Sequence, residues 1–203
     1  MIVTNFDKAV EKVLVHEGGF VNDPLDRGGA TNWGITQKTY ENFVGRPVSI
    51  SEIQNMPRGN AITIYKTQYW DKVRGDEIKS YPIAFSIFDQ AVNQGPARAI
   101  KRAQSVLGIY PDGNIDSEMI KRLNNSDEAD FINKFADESE RYYRRIVENN
   151  PSQEKFLAGW LKRVESIRSY GMSNLTKASI GIGAVAMIVA TTFLYLKLKE
   201  KKA

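Results

Sequence analysis

The sequence predicts a mainly α-helical protein with a small irregular, β-hairpin-type lobe near its N-terminus and a transmembrane helix at its C-terminus. Three observations carry that expectation. Apolar residues recur at helical spacing through most of the chain. Glycines crowd between Gly18 and Gly34, and the run Ala178 to Leu196 contains no charged residue.

In the first segment, Thr4 to His16, the apolar residues Phe6, Ala9, Val10, Val13 and Leu14 share one helical face, and Thr4 with Asp7 is placed as a capping box. This first helix delivers Glu17 at its C-terminal end. Gly18, Gly19, Gly28, Gly29 and Gly34 follow, with Pro24 and several Asx residues between them, which is the chemistry of turns and short hairpins. Residues 18–35 are therefore expected to form an irregular lobe lining a cleft. After Thr36, a good N-cap, helices are predicted over 37–44, 51–56, 58–73, 82–94, 96–107, 115–124, 127–149 and 152–170. The breaks between them fall at Gly45-Arg46-Pro47, Pro57, Tyr81-Pro82, Gly95-Pro96, Pro111-Asp112-Gly113 and Asn149-Asn150-Pro151. No internal period and no low-complexity segment occurs.

The run Ala178 to Leu196 lies between Lys177 and Lys197. At about 1.5 Å per residue it is just long enough to cross a hydrocarbon layer of about 30 Å. The alternative, a buried core helix, leaves little chain to pack against it. Lys197, Lys199, Lys201 and Lys202 favour a cytoplasmic tail, with the globular part across the membrane facing the periplasm and cell wall, although Arg163, Arg168 and Lys177 flank the other side. The N-terminus has acids within its first turns and does not resemble a cleavable signal, so export would use another route. Three regions are expected: 1–95, 96–173, and 174–203 with its lysine-rich end.

Apolar residues make up 42% and charged residues 26%, which excludes a disordered or fibrous chain. With no cysteine and a single histidine, His16, neither a thiolate site nor a cluster of histidine ligands can form, so no metal or other cofactor is expected and any hydrolysis must rest on carboxylates. A net charge of +4 and a pI near 9.1 suit an anionic partner such as a cell wall, an acidic membrane surface or a nucleic acid. No nucleic-acid motif accompanies that charge, and a monomeric catalytic part is expected.

The densest cluster of unusual residues runs from Glu17 to Thr36. Cleaving a glycosidic bond calls for a protonated carboxylic acid beside the scissile oxygen and a second polar group that holds water or stabilises an oxocarbenium-like transition state. Glu17, Asp26 and Thr31 supply that set. Phe20, Val21 and Trp33 flank Glu17 in sequence, and an apolar surround raises a carboxyl pKa. By position alone, Glu17 is equally a solvated glutamate at a helix end, Asp26 a turn cap and Thr31 a strand residue.

The wider pattern is more specific. Glu17-Gly18-Gly19-Phe20-Val21-Asn22-Asp23-Pro24, then Asp26-Arg27-Gly28-Gly29, Thr31 and Gly34-Ile35-Thr36, closely resembles the signature of glycoside hydrolase family 108. The resemblance implies a lysozyme-like fold and N-acetylmuramidase activity on peptidoglycan glycan strands, with Glu17 as the catalytic residue. Arg27 departs from the pattern, which usually has proline there. The spacing of Glu17, Asp26 and Thr31 also resembles the triad of phage-type lysozymes, which would make Asp26 the group that orients water or stabilises charge and Thr31 the group that positions the water.

Ile64-Tyr65, Tyr69-Trp70-Asp71 and Phe88 to Gly95 match the helical section of the same family. Sugars bind through aromatic faces and amide hydrogen bonds, so Tyr69, Trp70, Gln90 and Asn93 are the candidate substrate-binding residues. Aromatics at helical spacing are also frequent core residues, the expectation for Tyr65 and the open alternative for Trp70. The segment Ala97 to Leu123 is similar to a small helical peptidoglycan-binding module, with Gln104, Leu107-Gly108 and Asp112-Gly113 as its landmarks; it equally reads as a helix pair completing the fold. Function thus divides among a wall-degrading muramidase of endolysin or remodelling type, a wall-binding secretion-accessory protein with weak or controlled cleavage, and a basic helical protein that binds nucleic acid. Lytic transglycosylation is the rival chemistry.

Overall fold

The computed structural model describes residues 3–17, 19–22 and 29–170, with the side chains of 15–17 and 170 left aside. The expected membrane span 178–196 lies outside the described residues. Among those described, no helix is long and apolar enough to cross a membrane.

The architecture is mainly helical. Helix α1 (Asn5–Glu17) begins as the sequence implies: the Thr4 amide donates to Asp7 Oδ2 at 2.8 Å and the Asp7 amide donates back to Thr4 Oγ1 at 3.1 Å. Two bonds from Thr4, the backbone amide's first and then the hydroxyl's to Oδ2 at 2.8 Å, hold the Asp7 carboxyl below the usual carboxylate range. The face carrying Phe6, Ala9, Val10, Val13 and Leu14 is buried.

Strands β1 (Thr31–Asn32) and β2 (Ile35–Thr36) form an antiparallel hairpin, and Thr36 then caps α2 (Gln37–Val44) by accepting from the Thr39 amide. Helix α3 (Ile50–Gln54) opens on a capping box between Ser49 and Glu52. Helix α4 (Arg58–Tyr65) does not continue to 73 as expected. It widens into a π-helical turn over Lys66–Trp70 and tightens into 3₁₀ turns over Asp71–Val73 and Gly75–Glu77.

The turn tightens because the chain must bring Gly75 against the Trp70 indole. A Cβ at Gly75 would lie 2.4 Å from Trp70 Cε2, so no side chain fits there. Helix α5 (Tyr81–Gln94) is buried without interruption from Ile83 to Gln90, the signature of a central helix rather than a surface one. Phe6, Trp70 and Phe88 meet in tilted and edge-to-face pairs at 5.3–6.4 Å, arrangements that the ring quadrupoles favour.

Helices α6 (Pro96–Val106) and α7 (Ser117–Asn125) complete a first compact unit that ends at Ser126. The division at 126/127 lies inside the 96–173 region that the sequence sets apart. The reason is physical: α6 packs along α5, and α7 is stitched to the segment 74–79. Asn124 accepts from the Lys79 amide at 2.7 Å and donates to the Glu77 carbonyl at 2.9 Å, while Arg74 Nη1 reaches the Ile115 carbonyl at 3.4 Å. The second unit begins at Asp127, with α8 (Glu128–Asn149) and α9 (Glu154–Tyr170) paired as a helical hairpin. Tyr143 on α8 stacks on Trp160 of α9 at 5.1 Å.

Candidate functional site

Helix α1 ends at Glu17, so the candidate acid occupies the last helical position. A few residues later the chain returns as an extended segment: the Val21 amide donates to the Thr31 carbonyl at 2.9 Å and the Thr31 amide to the Val21 carbonyl at 2.8 Å. Thr31, half-buried, is therefore gripped on two sides, by Val21 and by its cross-strand partner Thr36. Asp26 falls among residues outside the description.

The hairpin is closed by two residues, Trp33 and Gly34, with φ of 53° and 71°. Two consecutive positive φ values fit the turn family whose twist matches paired strands. Glycine takes that conformation freely; a tryptophan does so at a cost of about 1–2 kcal/mol, so the surroundings must hold it there. They do so through three side chains. Asn32 Nδ2 donates to the Ile53 and Gln54 carbonyls at 3.0 and 2.9 Å, at the C-terminal end of α3. Trp33 Nε1 donates to the Met56 carbonyl at 3.2 Å, and the Tyr65 hydroxyl donates to the Trp33 carbonyl at 2.9 Å. A two-residue turn is thus tied to α3, to the segment after it and to α4. Asn32 and this role of Tyr65 are not anticipated from the sequence, because their partners lie 21 to 32 residues away; the glycine-rich segment points to a hairpin but not to what holds it.

The expected sugar-binding residues divide. Trp70 is fully buried, its ring faces taken by Phe6 and Phe88 and its indole N–H by Asp76 at 2.8 Å, so it is a core residue and not a cleft residue. Burial works against ionising Asp76, but the bonds from Trp70 and Lys66 outweigh it and keep that carboxyl below its ordinary range. Gln90 is likewise fully buried, with Oε1 accepting from Arg102 Nη1 at 2.5 Å; it serves the α5–α6 packing instead of presenting an amide to substrate. Both residues are core because neighbouring elements cover them, α1 and α5 over Trp70 and α6 over Gln90. Tyr69 is half-buried and tilts against Tyr65 at 5.7 Å, which links it to the ring that holds the hairpin. Asn93 is exposed near the end of α5, where Nδ2 donates to the Asp89 carbonyl at 2.7 Å.

A family model described as glycosyl hydrolase 108 matches residues 10–95, and one described as a predicted peptidoglycan domain matches residues 98–165. The solved structure of SagA from Brucella abortus is similar at 34% identity, covering 83% of this chain and 94% of that chain with a TM-score of 0.73. No curated protein matches. The chain belongs to the glycosyl hydrolase 108 family. It is a glycoside hydrolase, and its domain composition makes peptidoglycan its partner.

Proposed function

We propose that the chain is an N-acetylmuramidase that hydrolyses the β-1,4 bond between N-acetylmuramic acid and N-acetylglucosamine, for host lysis or for wall remodelling. The observation that carries this reading is the placement of Glu17 at the C-terminal end of α1, directly before a hairpin lobe whose Thr31 is fixed by strand pairing. A protonated carboxyl there donates to the leaving oxygen. Asp26 stabilises positive charge developing on the sugar, and Thr31 holds the incoming water. Tyr69 and Asn93, both accessible, remain the side chains offered to the glycan.

Glu17→Gln preserves size and hydrogen bonding while removing the acid, so turnover of purified murein should fall at least about a hundredfold in a folded protein. Products carrying free reducing ends identify hydrolysis; 1,6-anhydro ends would identify a transglycosylase instead. Intact murein with the wild-type chain would leave the wall-binding accessory role. We further propose that residues 178–196 anchor the protein in a membrane with the catalytic part facing the wall; the full chain should then sediment with membranes and require detergent, and a freely soluble full chain would exclude the anchor.

A further inference from the structure

Tyr110 is 82% exposed, more than any other large hydrophobic side chain among the described residues. An exposed tyrosine on a loose loop is ordinary. This one stands on a loop with little freedom. Gln104, at 3% exposure, spends its whole amide inside the loop: Nε2 donates to Asp112 Oδ1 at 2.6 Å and to the Asn114 carbonyl at 2.8 Å, and Oε1 accepts from the Gly113 amide at 2.8 Å. Asp112 in turn accepts from the backbone and side-chain nitrogens of Asn114 at 2.8 and 3.2 Å, and those bonds, with the backbone one first, keep its carboxyl ionised below the ordinary range. The Ile109 amide returns to the Gln104 carbonyl at 2.8 Å. Gly113, at φ 88°, leaves its Cβ position only 3.1 Å from Lys101 Cε and 3.3 Å from the Ala97 carbonyl, so the loop lies flat on α6.

The result is an aromatic ring held out from a pre-organised base. Ordering a side chain or loop on binding costs about 0.5–1.5 kcal/mol per group, and here most of that ordering is already present. No ring partner covers Tyr110 among the described residues, and Lys101, which lies against Gly113 of the loop, has no ion-pair partner among them. A flat, amphipathic ring on a loop that lies against a lysine suits a polymer of N-acetylated sugars that also bears carboxylates.

Resting on the reading of the chain as a peptidoglycan hydrolase, we infer that Tyr110 stacks on an N-acetylhexosamine ring of the glycan strand, a wall contact carried by the 107–114 loop in addition to the hairpin lobe. The test is co-sedimentation of the full chain with purified murein sacculi, in a Glu17→Gln background so that the polymer stays intact. Tyr110→Ala should weaken retention about fivefold or more, the scale of a single anchoring aromatic, and Tyr110→Phe should stay within about twofold of the parent. Excess chitohexaose should release the parent.

Equal retention of Tyr110→Ala and the parent overturns the inference, as does failure of chitohexaose to compete, which would place a peptide under the ring. A change of oligomeric mass in Tyr110→Ala would assign the ring to a second copy of the chain and overturn it equally. Unchanged melting temperature in Tyr110→Ala shows that a loss of retention is a loss of contact. If the parent itself does not sediment with sacculi, the peptidoglycan reading fails and the inference falls with it, an outcome distinct from a failure of Tyr110 alone.

Discussion

The hairpin at 31–36 and the loop at 107–114 are both short, polar and rich in turn residues, yet they are held in opposite ways. The hairpin is fixed from outside its own segment: Asn32 reaches the end of α3, Trp33 reaches Met56, and Tyr65 reaches back from α4. The loop is fixed by near neighbours in sequence, Gln104 at the end of α6 and its own Asp112 and Asn114. A catalytic lobe has to keep constant distances to groups on other elements, because small misplacements are costly in rate. A binding ring needs only a firm base. Long-range anchoring of one loop and local anchoring of the other follow from that difference in task.

The sharpest way to break the comparison is Asn32→Ala. It removes two bonds to carbonyls at the end of α3; the Ile53 carbonyl keeps the Met56 amide at 3.2 Å, while the Gln54 carbonyl loses its Asn32 partner. A loss of about 1–3 kcal/mol is expected in denaturant unfolding, together with a fall in murein turnover larger than the loss of folded protein explains. Wild-type stability in this variant would mean that the hairpin is not held by the rest of the fold.

What the sequence reveals follows the same divide. Caps and breaks act over a few residues, so the Thr4–Asp7 box, the Thr36 cap and the helices after it, α4 excepted, are legible to within a few positions. Contacts made across the fold are not. Helical spacing places Trp70 and Gln90 on faces but cannot say that another layer covers those faces, and both prove to be core. Nor does spacing reveal that the chain beyond Tyr65 must widen and then tighten to seat Trp70 against Gly75. The division at Ser126 is hidden for the same reason, since α7 joins the first unit through Asn124 and Arg74, whose partners lie more than forty positions away.

Gln104→Ala tests the local half of the comparison. The residue is buried, but Asp112 and Asn114 are exposed and water replaces part of what they lose, so the expected cost is smaller, about 1–2 kcal/mol. Retention on murein should weaken with it, because the ring of Tyr110 then has to be ordered on binding. Retention that stays at the parent's level while stability drops would separate the loop's rigidity from its proposed contact.

Tyr65→Phe keeps the ring and its packing on Phe88 and Tyr69 and deletes only the hydroxyl that holds the Trp33 carbonyl. About 1 kcal/mol of stability should go. On the proposal that Thr31 positions water, kcat should fall severalfold with KM nearly constant, since the substrate's own contacts persist. A change confined to KM would give Tyr65 a binding role through Tyr69.

The smallest effect concerns pH and acts on the hairpin through α3. Glu52 bonds to Arg46 and closes the Ser49 capping box, and these contacts, with Arg46 first, bring its carboxyl down from 4.5 to about 2. A carboxylate with a depressed folded pKa contributes stability that is complete above its unfolded value and vanishes as pH falls through the folded one. The melting temperature of the wild type should therefore exceed that of Glu52→Gln at pH 6, and the gap should close between about pH 4.5 and 2. Both groups lie at the surface, so the gap should be modest and should shrink in high salt. Because α3 supplies the carbonyls that Asn32 engages, hydrogen exchange at the Ile35 amide should quicken in Glu52→Gln at pH 6, while exchange at the Gly113 amide stays as in the wild type. Equal quickening at both amides would show a general loosening of the first unit, and the two loops would no longer be independently held.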